Sequence, residues 1–198
     1  MSDILRVLPN TFIPLFVAMD VFMIIPIFIS MTQEMSEKTR LAVVRDSIIT
    51  AVIVSLLFLA LGNAIFNILG IRGDDFKIAG GLVLLVFAVL DLLQRGDEQR
   101  RSVAKMGVVP IGVPLIAGPA VLTTVLVLQD QYGFIPTVIS LLLNLFIVWI
   151  SLINAERIIK TIGRGGVTGL SKVMALLLAS IAIMMIRLGI ENIIRGVN

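Results

Sequence analysis

The chain contains no cysteine and no histidine. These absences exclude disulfide bonds, thiol nucleophiles, histidine-ligated haem and the common zinc sites, and they leave no imidazole for acid–base catalysis. Charged residues are also few, at 15% of the chain, against about 25% in an average soluble domain. We therefore predict no cofactor and no metal. The lack of a basic face or of a set of stacking aromatic side chains argues against a nucleic-acid partner.

Apolar residues, in contrast, are abundant. They make up 58% of the 198 residues, and the mean hydropathy is +1.07. A soluble domain of this size leaves much of its surface in water, and its core could not bury so many apolar residues. A soluble globular fold is therefore excluded. Because a membrane-spanning helix needs about 20 apolar residues, the chain has room for about six. Six apolar runs are present, at about 9–31, 47–71, 77–94, 107–129, 134–154 and 172–194.

None of these runs shows the alternation of a barrel strand, so the sequence predicts an all-α membrane protein with six spans in one domain, 1–198. The connections hold most of the charges, and the fifth, 155–171, is rich in glycine. The lysines and arginines of the first, third and fifth connections outnumber those on the other side, which predicts that these connections are cytoplasmic. We therefore expect a multi-pass protein of the cell (inner) membrane with both termini extracytoplasmic.

The chain divides into two halves, about 1–96 and 104–198, joined by a basic linker that we expect in the cytoplasm. Three spans per half give the halves opposite orientations. The first span of each half is interrupted by prolines, which remove a backbone donor and disturb a helix. Inverted repeats with discontinuous first helices are typical of secondary transporters. The prolines concerned are Pro9, Pro14 and Pro26 in span one, and Pro110, Pro114 and Pro119 in span four.

A break in span four would create a half-helix that begins at Pro119, where no backbone donor is needed. Its first N–H groups, those of Ala120, Val121 and Leu122, would be free to bind a substrate carboxylate inside the membrane. Gly118 would let the backbone approach the ligand closely. The hydroxyls of Thr123 and Thr124 either contact the substrate or hydrogen-bond back to their own helix.

Asp20 lies near the middle of span one, beside Val21, where a carboxylate is costly unless it is paired, hydrated or protonated. One interpretation is that Asp20 only caps the second half of a broken helix. The other is that Asp20 and Val21 belong to the substrate site. An ionised Asp20 would bind a substrate ammonium group, whereas a protonated one would carry a coupling proton.

Other polar residues of the spans allow two interpretations each. Asn144 lies at mid-depth in span five and either lines the pathway or joins two helices. Arg187 and Glu191 are four residues apart and form either an exposed ion pair or an outer gate. Asp91 is expected to pair with Arg95 at the cytoplasmic edge, at a different depth from Asp20.

The run Pro114-Leu115-Ile116-Ala117-Gly118-Pro119-Ala120, followed by Thr123-Thr124, resembles a hallmark of the MarC family. That family includes SnatA-type transporters of small neutral amino acids. The family's first-span pattern is matched by Pro26 and Phe28, while Asp20, Val21 and Met23 differ from it. The resemblance implies six spans in inverted repeats, with spans one and four discontinuous, and transport of glycine, alanine and similar substrates where the two breaks meet.

These observations favour a secondary transporter of small neutral amino acids that works by alternating access, without enzymatic activity. No phosphate-binding glycine-rich motif is present, so an ion or solute gradient would supply the energy, and coupling to protons through Asp20 is one prediction. The alternatives are a non-transporting membrane protein with a structural or regulatory role and an intramembrane enzyme that uses Asp20 with Asp91.

Overall fold

The computed structural model describes residues 2–70, 72–93 and 116–196, and the regular secondary structure in these ranges is helical throughout. The predicted all-α class is confirmed for this part of the chain. The helices, in order, are α1 (Ser2–Met19), α2 (Val21–Thr32), α3 (Glu37–Leu69), α4 (Gly73–Leu93), α5 (Pro119–Tyr132), α6 (Phe134–Ile153) and α7 (Ala155–Gly196).

Five stretches within these ranges are long and apolar enough to cross a membrane. The outer surface agrees with this, because α3 presents large apolar side chains at four-residue intervals, each 49–55% exposed: Ile49, Ile53, Leu57 and Leu61. Such a stripe is unfavourable in water and suits contact with lipid. The stretches are Arg6–Thr32, Glu37–Gly62, Gly73–Leu93, Phe134–Ile153 and Gly165–Arg195.

The predicted fourth span, 107–129, is described only from Ile116 onward. Its helix, α5, has 14 residues. This gives a length of about 21 Å, less than the roughly 30 Å hydrocarbon core. The basic linker around 97–103 lies outside the described residues. The structure therefore describes five candidate spans, and the sixth stays a prediction.

Two predicted connections are largely helical in the structure: the charged segment extends α3 toward its start, and the glycine-rich segment is helical on either side of a break at Gly163. α3 begins at Glu37 rather than near residue 47, and the Ser36 hydroxyl oxygen accepts a hydrogen bond from the Thr39 N–H at 3.2 Å. The intervening Glu, Lys, Arg, Leu and Ala residues are good helix formers. α7 begins at Ala155 and leaves helical geometry at Gly163, whose φ of 78° suits glycine.

The long helix α7 is the main packing partner of α4, and it also contacts α1 and α2. In addition, α1 packs on α5 and α6, α3 packs on the same two helices, and α4 contacts α5. The approach of α4 to α7 depends on Gly81, where a Cβ atom would lie 2.7 Å from the carbonyl oxygen of Ala182. α1 thus contacts α5, and residues at the end of α1 and just before α5 belong to one buried cluster.

Candidate functional site

The first span is interrupted at Asp20, between α1 and α2. Asp20 has φ 36° and ψ 68°, the left-handed conformation, and it is the one non-glycine residue with positive φ in the described ranges. The prolines themselves lie inside the helices, Pro14 in α1 and Pro26 in α2. The break thus falls between two prolines rather than at one, at a residue type that tolerates left-handed geometry better than most.

The Asp20 side chain holds this break from two directions. One carboxylate oxygen, Oδ1, accepts a hydrogen bond from the Met23 N–H at 3.2 Å, which is the predicted N-cap of α2. The other, Oδ2, accepts one from the Ser171 hydroxyl of α7 at 2.7 Å. Asp20 is 8% exposed and Ser171 6%, so both groups are buried. A residue of the second half therefore fixes the carboxylate of the first.

Ser171 is a site residue that the sequence analysis missed. It falls just before the apolar run 172–194, in the segment interpreted as a connection. The feature that could have revealed it is the helical spacing of small and apolar residues. Positions three and four residues apart lie on one face of α7 and are all buried: Ser171, Ala175, Leu178, Ala182 and Met185. Extending the last span back by one residue would have placed Ser171 on its inner face.

Two charged groups also surround Asp20 from other helices. The Lys172 ammonium group donates a hydrogen bond to the backbone carbonyl of Asp91 near the end of α4. The charges of Lys172 and Asp91 both lie within electrostatic range of the Asp20 carboxylate. Consecutive residues of α7 therefore contact Asp20 and Asp91, and the predicted difference in depth between the two stays a prediction. Arg95, the predicted partner of Asp91, lies outside the described residues.

The second break precedes α5. Gly118 is extended (φ −73°, ψ 172°) and caps the helix without a side chain, and Pro119 occupies the first position as predicted. One predicted donor is wrong: the Leu122 N–H donates to the Gly118 carbonyl at 3.0 Å and is used within the helix. The Ala120 and Val121 N–H groups precede it in the first turn and have no backbone acceptor within the described ranges.

The two breaks belong to one buried cluster. Met19 and Val21 flank the first break, and Ile116, Ala117 and Val121 flank the second. All five side chains are at most 4% exposed. Residues that flank the two breaks are therefore buried in the same apolar cluster.

The remaining predicted polar residues of the site serve packing in this structure. The Thr124 hydroxyl donates to the Ala120 carbonyl of its own helix at 2.8 Å. The Thr123 methyl carbon faces α4, where it would lie 2.5 Å from a Cβ placed on Gly80. Asn144 is 1% exposed, and its Nδ2 donates to the Phe12 carbonyl of α1 at 3.2 Å. Asn144 therefore joins α6 to α1, and a ligand contact by these residues stays a prediction.

The opposite end of α5 carries an ion cluster that the sequence analysis did not single out. The Lys77 ammonium group of α4 lies 3.0 Å from Asp74 and 3.2 Å from Asp130, which is near the end of α5. Asn192 of α7 donates to the same Asp74 at 2.9 Å. This cluster ties three helices together at the end that we expect to be extracytoplasmic.

Arg187 and Glu191, the predicted gate residues, lie one turn apart on α7 with their charged atoms 3.9 Å apart. Their side chains are 65% and 41% exposed. A gating role for them stays a prediction. Within 2–70, 72–93 and 116–196, no three acidic, histidine or cysteine side chains are grouped as metal ligands would be.

The model of the MarC family of integral membrane proteins matches residues 5–194. The chain belongs to this family. Like its relatives, this MarC protein is an integral, multi-pass membrane protein. No solved structure matches it.

Several relatives are similar to this MarC protein over nearly their whole length. UPF0056 membrane protein MJ1677 of Methanocaldococcus jannaschii is 31% identical over 195 residues, which cover 91% of this chain and 94% of the relative. UPF0056 membrane protein BU449 of Buchnera aphidicola is 33% identical and covers 92% and 95%. UPF0056 inner membrane protein YhgN of Escherichia coli is 29% identical and covers 87% and 90%. None of these names states a substrate.

Proposed function

We propose that this MarC protein is a secondary transporter of small neutral amino acids. The observation that carries the proposal is the buried Asp20 carboxylate, held by Ser171 at a helix break that shares one cluster with the break before α5. A carboxylate inside a membrane marks a functional site more often than a structural one, because its burial is costly. Here the cost would be offset by binding a cationic group.

The two breaks have opposite electrostatic character, which suits a zwitterion. Each Asp20 oxygen already accepts one hydrogen bond and has a lone pair left for a substrate ammonium group. The Ala120 and Val121 N–H groups, at the positive end of the α5 dipole, would bind the substrate carboxylate. Apolar side chains line the cluster, so the site would favour a small, uncharged substrate side chain such as that of glycine or alanine.

The helix packing supports an inverted repeat with six spans. Suppose that α1–α2 correspond to α5, α3 to α6, and α4 to α7. The contacts α1–α5, α3–α6 and α4–α7 then each join an element to its own counterpart. The contact α1–α6 corresponds to the contact α3–α5, and the contact α4–α5 corresponds to the contacts of α7 with α1 and α2. The contact of α5 with α6 has no equally extensive counterpart. In this proposal the halves rock around the two breaks, and both termini are extracytoplasmic.

Asp20 would also carry a coupling proton. Its neighbours are the Ser171 hydroxyl and the Met23 N–H, with the charges of Asp91 and Lys172 further out. Because its direct partners are an O–H and an N–H group rather than a second carboxyl group, the arrangement does not resemble an aspartic dyad that shares a proton. We therefore favour transport over intramembrane catalysis.

Uptake into liposomes tests the proposal. Purified protein would be reconstituted and supplied with labelled glycine, alanine or leucine, with and without an imposed pH gradient. We expect uptake of glycine and alanine above that of protein-free liposomes, and little uptake of leucine. No uptake of any amino acid under any gradient would contradict the proposal and favour a non-transporting structural or regulatory role.

A further inference from the structure

A cavity of about 410 Å³ lies where α2 ends, α3 begins and α7 begins. Its lining combines charged side chains of both signs with apolar side chains. Arg40 and Lys160 supply the positive groups, Glu37 and Glu156 supply the negative groups, and Ile29 and Ile159 are among the apolar residues. Its volume falls within the range of small-molecule sites. In the proposed orientation it opens to the cytoplasm.

An ion pair joins two walls of this cavity. The Arg40 guanidinium of α3 donates to the Glu156 carboxylate of α7, and their side chains are 28% and 52% exposed. The hydrogen bond and the charge of the Arg40 guanidinium hold the pKa of Glu156 below its usual value, which favours the carboxylate form of Glu156. An ion pair as exposed as this one contributes little to stability, which makes its partners available for exchange.

Helix α2 runs from the buried site to the cavity. This helix begins directly after Asp20, and its residues Ile29 and Thr32 line the cavity. Its 12 residues cover about 18 Å. A substrate that leaves the Asp20 site toward the cytoplasm would follow α2 and meet this pair of charges at the end.

We propose that the cavity is a second binding site for a zwitterionic amino acid, whose carboxylate and ammonium groups replace the partners in the Arg40–Glu156 ion pair. The inference rests on the proposed function, since it takes the same substrate class. An α-amino acid carries both charges in one molecule, so it satisfies Arg40 and Glu156 together. A ligand with a single charge would satisfy one and leave the other unpaired.

Cysteine labelling tests this inference, because the natural chain has no cysteine. Gln33 lines the cavity and is exposed, so Gln33→Cys introduces a single reactive position. The reaction rate with a membrane-impermeant maleimide would be measured in detergent with glycine, glycinamide or N-acetylglycine. We expect glycine to slow labelling several-fold and the two singly charged analogues to have no effect.

Charge exchange provides the matched variants. In the Gln33→Cys background, Arg40→Glu or Glu156→Arg places like charges across the cavity, and protection by glycine should disappear. The double exchange restores opposite charges and should restore protection. Exchanging Arg45 and Asp46, an exposed pair of neighbours in α3, should leave protection unchanged.

The readout separates this inference from the proposed function. Labelling reports on the cavity without transport, and the Asp20→Ala variant should retain protection by glycine while it loses uptake. If the wild type takes up glycine but glycine does not slow the labelling of Gln33→Cys, the second site alone is overturned. Protection that survives both single charge reversals would also overturn it. If glycine slows the labelling of Gln33→Cys but the wild type takes up no glycine, the second site is supported and the proposed transport function is contradicted.

Discussion

The two helix breaks of this MarC protein are built in opposite ways. At the first, Asp20 has a strained left-handed backbone, and its carboxylate accepts hydrogen bonds from the Met23 N–H and from the Ser171 hydroxyl of α7. At the second, Gly118 is unstrained, offers no side chain, and is followed by a proline that needs no donor. One break therefore presents a carboxyl group and the other presents the N-terminus of a helix.

This difference explains why each break persists. A left-handed non-glycine residue costs about 1–3 kcal/mol, and such strain survives only when surrounding contacts fix it. At Asp20 the cap and the Ser171 hydroxyl supply those contacts. The break before α5 needs no such support, because extended glycine followed by proline is a natural helix start.

Asp20→Ala should have the largest effect. It removes the negative charge, the cap of α2 and the bond to Ser171 in one step. We expect glycine uptake to fall by more than about tenfold, which corresponds to 1.4 kcal/mol, and the lost cap to reduce stability by about 1 kcal/mol. Uptake assays and thermal unfolding in detergent would measure both. Asp46→Ala, on the exposed part of α3, is the matched control, and equal uptake by the two variants would contradict the account.

Gly80→Ala should disturb the second break without touching the first. The new Cβ would lie 2.5 Å from the Thr123 methyl carbon, and a β-branched residue in a helix has little freedom to move aside. α5 must shift, at a cost of about 1–3 kcal/mol, and glycine uptake should fall several-fold. Gly165→Ala, which meets no atom within 4 Å, is the control. Equal melting temperatures and equal uptake rates of the two variants would show that the contact between Gly80 and Thr123 does not hold α5 in place.

Ser171→Ala should loosen the first break while the cap from Met23 remains. A buried hydrogen bond to a charged group is lost, so we expect a destabilisation of about 1–2 kcal/mol and a moderate loss of uptake. Thermal unfolding and initial uptake rates would be compared with those of Ser180→Ala, whose exposed hydroxyl bonds only to its own helix. Identical behaviour of the two serine variants would show that the Ser171 bond does not support the site.

Asp20→Asn should separate charge from geometry. Asparagine is a good cap and tolerates the left-handed conformation, so the break should survive with little change in stability. The charge that would bind the substrate ammonium group and exchange a proton is removed, so uptake should fall, and the uptake that remains should lose its dependence on pH. Measuring uptake from pH 5 to pH 8 would test this, and an unchanged pH profile would exclude Asp20 as the coupling residue.

Thr124→Val should have the smallest effect. The Thr124 hydroxyl bonds to its own helix, and valine has nearly the same shape. We expect glycine uptake and affinity within about twofold of the wild type, which is less than 0.5 kcal/mol. A large loss of affinity would mean that this hydroxyl turns toward the substrate during transport.

The sequence predicted the parts of this site that depend on neighbouring residues. Asp20 as a cap and Pro119 as a first helix residue are local rules of helix ends, and both are found. It could not supply Ser171, which is 151 residues from Asp20 and is brought there by the packing of α2 on α7. It also placed the start of the last span too late, because the helix after the break at Gly163 runs through the rest of the glycine-rich segment, and Gly163 is the residue that leaves helical geometry.

In the proposed mechanism the two breaks bind one small zwitterion between them. An experimental structure of the protein with glycine bound would decide whether they do. We predict the glycine nitrogen at about 3 Å from an Asp20 carboxylate oxygen, and the glycine carboxylate at the Ala120 and Val121 N–H groups. Glycine bound elsewhere, or a first span that runs as one unbroken helix through Asp20, would contradict the account.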